Sequence, residues 1–219
     1  ITLLPRAEGE PARGRLHVST SLLVVDGWSA SLFDRELLAH LTGRADSDPL
    51  AIDFGDYVEA LAATSDDAEH RADRAWWLER IDALPEPPRL PMEHDPAALD
   101  TDHMLMLEQR VDPDTWTRVR HSCTEHGVTA ASAVLTAYAV ELASLPGQDA
   151  LLLTTLHHNR EPLHPDVDRM IGAFSRTALV GLDLSGGVSF EELTRRVQRD
   201  QAMYAEHRHT SAVEVTREI

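Results

Sequence analysis

Leu16-His17-Val18-Ser19-Thr20-Ser21-Leu22-Leu23-Val24-Val25-Asp26-Gly27-Trp28-Ser29 decides how the first part of the chain is read. Its apolar, β-branched end, stopped by Asp26-Gly27, predicts a buried strand closed by a turn. An acid at the end of such a strand, before a glycine turn and a helix start, reaches a cleft while its strand holds it still. Spacing alone also reads Asp26 as a turn residue that accepts local backbone hydrogen bonds. Ser29 or Ser31 is expected to cap the helix that follows. Leu32, Phe33, Glu36, Leu37 and His40 fall on it at helical spacing, and Leu41 completes its apolar face. Gly43 ends it.

Downstream, a loop over residues 44–49 leads into Phe54-Gly55-Asp56-Tyr57. A long helix is predicted from about Asp66 to Ala83. It carries Trp76 and Trp77, and adjacent tryptophans cannot share one helical face, so cover on more than one side is expected. Pro85, Pro87, Pro88, Pro91 and Pro96 put five prolines in 12 residues. No helix or central strand tolerates that, so a boundary is placed there, dividing 1–97 from 98–219. Beyond it, Met104–Val111 reads as a strand. Asp112-Pro113 opens a helix to about His126, where Gly127 stops it. Thr129 starts an alanine-rich helix over 130–145, ended by Pro146-Gly147. Leu151–Leu156 and Phe174–Leu184 read as strands. After the Gly186-Gly187 turn, Ser189 caps a last helix with Glu192 at the reciprocal position. No repeat recurs at a fixed period. The alternation of strands and helices predicts an α/β or α+β layered fold.

Composition narrows the function. The 219 residues carry 20 basic groups, all arginine, against 37 acidic ones, a net charge of −17. A chain so acidic, with no basic cluster, is a poor partner for nucleic acid, whose phosphates supply most of the affinity. Hydrophobic residues make up 42%, which suits a folded core rather than a disordered chain. No apolar run reaches about 18 residues, so no membrane span is expected. Residues 1–20 lack the basic start and apolar stretch of a signal peptide. The single cysteine, Cys123, excludes an internal disulfide framework and a thiolate cluster; mid-helix, it reads as a small core residue. A reduced, cytoplasmic setting is the expectation.

A second polar stretch, Leu156-His157-His158-Asn159-Arg160-Glu161-Pro162-Leu163-His164-Pro165, packs three histidines, an asparagine and an arginine after a strand. Zinc needs three or four convergent ligands, whereas His157 and His158 point apart on a strand. A solvated polar loop is the stronger reading, and no metal is expected. His207 and His209 likewise read as surface or loop groups. No Gly-x-Ser-x-Gly elbow and no glycine-rich phosphate loop occurs.

These two stretches carry a resemblance. Arg15 to Ser19, then Asp26-Gly27-Trp28-Ser29, Leu32 and Arg35-Glu36-Leu37, resemble the core of condensation domains of nonribosomal peptide synthetases. Standard members carry His-His-x-x-x-Asp-Gly there, and Ser21-Leu22 stands where the histidines fall. The pattern looks more like the heterocyclization subfamily, with Asp-x-x-x-x-Asp-x-x-Ser. Asp26 and Ser29 match its last two positions, and Ser21 replaces the first Asp. Tyr57 onward, with Arg74-Ala75-Trp76-Trp77-Leu78-Glu79-Arg80 and Leu84-Pro85, is similar to the family's helix before its lobe junction. Asn159-Arg160-Glu161-Pro162-Leu163-His164-Pro165, Ile171-Gly172-Ala173-Phe174-Ser175 and His207–Val215 resemble further signatures in the same order.

The resemblance implies a two-lobed fold of chloramphenicol-acetyltransferase type. Residues 1–97 would be the C-terminal part of the first lobe and 98–219 the N-terminal part of the second. It implies amide formation between a carrier-bound acyl donor and a Cys, Ser or Thr acceptor, then cyclodehydration to a thiazoline or oxazoline. Asn159, Asp26 and Ser29 are the implied catalytic residues, and Ser21, Thr155 and Ser175 the implied substrate contacts. No cofactor is bound directly; the phosphopantetheine arms of upstream and downstream peptidyl carrier domains bring the substrates, beside an adenylation domain. Asp26 is expected to hold the strand–helix junction by pairing with an arginine, facing the Asn159 bend across a gap between lobes. Ala173 replaces the family's acid, and Leu156 its threonine, which impairs the dehydration. A degenerate domain that only docks carriers or spaces its neighbours is the alternative. A stand-alone acyltransferase is a third, but Leu22 sits where its histidine belongs.

Overall fold

The computed structural model describes residues 2–3, 16–44, 48–64, 68–92, 95, 98, 105–145 and 147–218. Arg15, Asp66, Pro96, Met104 and Pro146 lie outside them. Four short strands and seven helices occur among the described residues. In chain order they are β1 (Thr2–Leu3), β2 (Leu16–His17), α1 (Gly27–Leu41), α2 (Phe54–Thr64), α3 (Ala68–Leu78), α4 (Pro113–Glu125), α5 (Ala130–Ser144), β3 (Ala150–His158), β4 (Ser175–Asp183), α6 (Phe190–Glu206) and α7 (Ala212–Thr216). β1 and β2 pair antiparallel, and β3 and β4 form a second two-stranded sheet.

The chain divides into two compact units. One comprises residues 1–67 and 157–176, the other 68–156 and 177–219. The proline-rich stretch lies inside the second unit and is tied down there. Leu152 N donates to Glu86 O at 3.0 Å, Arg89 N donates to Gln148 Oε1 at 2.8 Å, and Gln148 Nε2 donates to Pro87 O at 3.3 Å. Prolines lack the donors a central strand needs, but their carbonyls and the interleaved Glu86 and Arg89 still pair along the start of β3.

The second unit holds the larger core. Leu151 and Leu153 of β3 and Leu179, Val180 and Leu182 of β4 are buried with Ala139 and Ala143 of α5, Val197 and Tyr204 of α6, and Val215 of α7. The small faces of α5 let α6 pack closely against it. Gly181 is needed in β4: a Cβ there would come within 2.9 Å of Pro85 and 3.0 Å of the Tyr204 hydroxyl. Trp77 is buried while Trp76 lies partly exposed against Tyr204, so the two indoles do take different faces. The first unit has a smaller aromatic core of Tyr57, Val167, Met170 and Phe174, with Ile52, Phe54 and Leu61 against it.

Helices α4, α5 and α6 start at the capping residues expected from the sequence. Asp112 caps α4 through Thr115 N at 2.9 Å. Thr129 caps α5, and Ser189 caps α6. The reciprocal capping box forms at Ser211 and Glu214 rather than at Ser189 and Glu192. The expected helix to Ala83 stops at Leu78 and gives way to a tighter turn over Ile81–Ala83. Two expected strands differ more. Beyond His17, residues 18–25 form no strand: Val24 N and Val25 N both turn back to Ser21 O, and Leu22 and Leu23 are 81% and 87% exposed. Residues 105–111 form none either, and Leu105, Met106 and Leu107 stand exposed. An apolar run becomes a buried strand only with a neighbour to pair with and cover on its faces; among the described residues these segments have neither.

Candidate active site

The site grows from the start of α1. Asp26, not Ser29 or Ser31, is its N-cap: Asp26 Oδ1 accepts from Ser29 N at 2.7 Å. The carboxylate thus meets one of the four orphan amides of a helix start, and its charge complements the positive end of the helix. Ser29 lies inside the helix and its hydroxyl works elsewhere. It donates to Gly172 O at 2.9 Å and accepts from Gly172 N at 3.0 Å and from Arg160 Nη2 at 2.8 Å. Asp26 N adds a bond to Gly172 O at 3.1 Å.

Arg160 closes the cluster. Its Nη2 lies 3.7 Å from Asp26 Oδ1, with the two side chains 7% and 3% exposed. Its Nη1 donates to the carbonyls of Val167 and Met170, and its guanidinium lies 3.8 Å from the Phe174 ring centroid. The fork-shaped, flat guanidinium suits this double task. Burial alone would raise the Asp26 pKa; the Ser29 amide, the neighbouring Ser29 hydroxyl, the Arg160 charge and His158 together outweigh it and hold the carboxyl below its ordinary value. Asp26 Oδ2 and Arg160 Nε are buried with no hydrogen-bond partner. The expected pairing of Asp26 with an arginine is therefore present, but the aspartate ends a turn rather than a stiff strand.

Asn159 is next to this pair and is 7% exposed. With its amide nitrogen toward Glu161 and its oxygen toward Arg176, it donates to Glu161 Oε1 at 3.2 Å and accepts from Arg176 Nε at 3.1 Å. A carboxamide has two donors and two acceptor lone pairs, so each end keeps one further capacity. Tyr57 fixes the backbone around it: its hydroxyl donates to Asn159 O at 3.3 Å and accepts from Glu161 N at 3.0 Å. Burial pushes the Tyr57 phenol up, which keeps that proton in place. Gly172 lies so close to Phe54 that an added Cβ would stand 2.3 Å from the ring.

Asp26, Ser29, Asn159 and Ser175 all lie in the first unit. The first three are joined through Arg160, Gly172 and the adjoining backbone; Ser175 opens β4, half-buried. Asp26 and the Asn159 loop therefore belong to one unit and touch through Arg160, where a gap between lobes was expected. Ser21 sits on the exposed turn, where its hydroxyl accepts from Leu23 N at 3.3 Å. Thr155 belongs to the second unit and donates to Ala178 O at 3.2 Å. Sequence reasoning missed Arg160, Tyr57 and Gly172 as the fasteners of the site, and Trp28 beside it. Arg160 follows Asn159 directly and Trp28 follows Asp26-Gly27, so adjacency was the available signal. Trp28 Nε1 donates to Asp168 O at 3.3 Å, and its ring meets His158 edge-on at 6.1 Å.

Comparison with known proteins decides the family. Residues 13–219 match the condensation domain family model. This chain belongs to the condensation domain family. It is 31% identical over 205 residues to pyochelin synthetase PchF of Pseudomonas aeruginosa (strain UCBPP-PA14), covering 93% of this chain and 11% of that protein. It is 30% identical over 221 residues to phenyloxazoline synthase MbtB of Mycolicibacterium paratuberculosis (strain ATCC BAA-968 / K-10), covering all of this chain and 18% of the relative. A cyclization-docking bidomain of the EpoB peptide synthetase from Sorangium cellulosum superposes with a TM-score of 0.82 at 29% identity, over 90% of this chain and 40% of that one. These relatives place it in the heterocyclization branch, and its fold is part of the condensation-domain fold. The chain spans well under half the length of each of these relatives.

The condensation domain carries a second buried carboxylate, in its other unit. Asp73 of α3 accepts from His207 Nδ1 at 3.0 Å, His209 N at 3.0 Å and His209 Nδ1 at 2.8 Å. His207 also stacks on Trp76 at 4.0 Å. The two histidines lie in the turn after α6, as expected of loop groups, and through Asp73 they anchor that turn to α3. No group of three or more His, Cys, Asp or Glu among the described residues is arranged to hold a metal ion. No single helix among them is long and apolar enough to cross a membrane.

Proposed function

We propose that this chain is part of a peptide synthetase domain that joins a carrier-bound acyl thioester to the amine of a carrier-bound Cys, Ser or Thr. The observation that carries this reading is the Asp26–Ser29–Arg160–Gly172 cluster, which fixes Asn159 at the end of β3 in a chain 31% identical to a pyochelin synthetase. Acyl transfer between two tethered substrates depends first on placement, which converts a bimolecular step into an effectively unimolecular one. A buried, doubly anchored carboxamide with one donor and one acceptor to spare suits the orientation of the amine and of the tetrahedral oxyanion. Asp26 and Ser29 act through Arg160 and the Gly172 backbone as positioning residues. Ser21, Thr155 and Ser175 are the proposed substrate contacts, and Thr155 reaches substrate only by giving up its bond to Ala178.

Cyclodehydration follows amide formation and is weakened, because Ala173 and Leu156 offer no proton. Residues 1–97 and 98–219 are the proposed portions of the two lobes. Peptidyl carrier domains upstream and downstream supply phosphopantetheine-bound substrates in the cytoplasm, with an adenylation domain beside them. The test uses the complete protein with both carriers loaded. Asn159→Ala should slow amide formation by about 100-fold, the scale of losing one oriented donor. Unchanged amide formation would remove Asn159 from the site.

The second reading is a domain that docks carriers without turnover. The exposed Ser21 turn and the replaced acid at Ala173 favour it. Carrier binding with no product in the same assay would establish it.

A further inference from the structure

Ring closure at this site needs a proton delivered to a leaving hydroxyl, and the buried cluster of Asp26, Ser29, Arg160 and Asn159 does not deliver one. The Asp26 carboxyl is held ionised beside Arg160. The guanidinium of Arg160 does not titrate in the working range. The Ser29 hydroxyl gives its proton to Gly172 O, and Asn159 has no acidic proton. Two imidazoles stand at the end of β3, next in the chain to Asn159. Burial, with the charge of His158 added, pushes His157 down, so it stays neutral near pH 7 and has no proton to give.

His158 is placed differently. It is exposed, it meets the Trp28 ring edge-on at 6.1 Å with the planes 73° apart, and no hydrogen bond among the described residues engages its ring. Trp28 is itself fastened by its bond to Asp168 O, so the imidazole has a rigid wall on one side. The ionisable groups acting on it are Asp26, from the start of α1, and His157, from its own strand. Imidazole is the one side chain whose ordinary range spans neutral pH.

We infer that His158 is the general acid of the cyclodehydration step, delivering a proton to the hydroxyl of the cyclised adduct beside the Trp28 ring. This rests on the heterocyclization reading and names the group that performs its second step. After the acceptor side chain has added to the new amide, the former carbonyl carbon bears a hydroxyl and a neighbouring N–H. The imidazolium of His158 gives its proton to that hydroxyl, and the C–O bond breaks with its electron pair leaving in water. The nitrogen lone pair forms the C=N bond, and the N–H proton passes back to the imidazole. Water alone is lost, and the histidine ends as it began.

The experiment is reconstitution of the complete protein with loaded carriers, read by mass for open amide and for ring product 18 mass units lighter, the mass of one water. In His158→Phe and His158→Gln the ratio of ring to open amide should fall by about 100-fold, the usual scale for a lost general acid. A ratio unchanged in both variants overturns the inference. So does a variant that makes neither product while melting at the unaltered temperature, because the residue would then serve amide formation rather than dehydration. Unaltered protein that makes open amide and no ring also overturns it and leaves the amide-forming reading standing. Unaltered protein that makes no amide overturns the functional reading itself.

Discussion

Asp26 does two jobs that can be separated by substitution. Its carboxylate caps α1, and its charge balances Arg160 in a place where both side chains are nine-tenths buried. Asp26→Asn keeps a competent cap and removes the charge; Asp26→Ala removes both. Leaving a buried guanidinium without its partner costs about 3–5 kcal/mol, and losing the cap adds about 1 kcal/mol. Both variants should therefore unfold at lower urea, with the Ala variant less stable than the Asn variant by about 1 kcal/mol. Equal midpoints for the unaltered and Asn forms would show that the pair contributes nothing. The double role also explains why this residue reads two ways in sequence. Strand-Asp-Gly and turn-Asp-Gly are alike in one dimension, and the choice depends on Gly172 and Arg160, more than 130 residues away.

Elements that carry their own instructions were legible, and those that depend on neighbours were not. α4, α5 and α6 begin where Asp112, Thr129 and Ser189 place a side-chain oxygen on an orphan amide. Those signals are local, so they survive any context. The apolar runs at residues 18–25 and 105–111 hold no such instruction. Whether they become strands depends on partners, and none is present among the described residues. In the site itself, Asp26, Ser29 and Asn159 were legible as motif positions with an expected role, whereas Tyr57 was legible by position only, since its hydroxyl acts on backbone more than 100 residues away. The meeting of α2 with the Ile171–Phe174 segment gives a prediction at this scale. Gly172→Ala drives a Cβ into the Phe54 ring and displaces the carbonyl that anchors Asp26 and Ser29. Its stability, read by urea unfolding, should fall by about 1–3 kcal/mol, the usual cost of overpacking. Gly172→Ala combined with Phe54→Leu should recover part of the loss if the ring is the obstacle; no recovery would locate the strain in the backbone.

For the whole molecule, each compact unit contains, among the described residues, one buried carboxylate that gathers its polar contacts, Asp26 in the first and Asp73 in the second. Burial pushes both up, but hydrogen bonds from Ser29 in one case and from His207 and His209 in the other hold both below the ordinary value of 3.8. A carboxyl depressed in the folded state stabilises fully above its unfolded pKa and ceases to do so as pH falls through the folded one. Stability should thus be flat with respect to these groups above about pH 5 and drop steeply below pH 3.8. In Asp26→Asn the acid-side slope should be shallower, which a urea series at several pH values measures. Acyl transfer itself is read in a single-turnover assay. The complete protein is charged with a donor thioester on one carrier and cysteine on the next, and amide appearance is followed in a single turnover. The unaltered protein should form amide, and Asn159→Ala should lose about 100-fold of that rate; loaded carriers that bind and yield no amide would rule acyl transfer out.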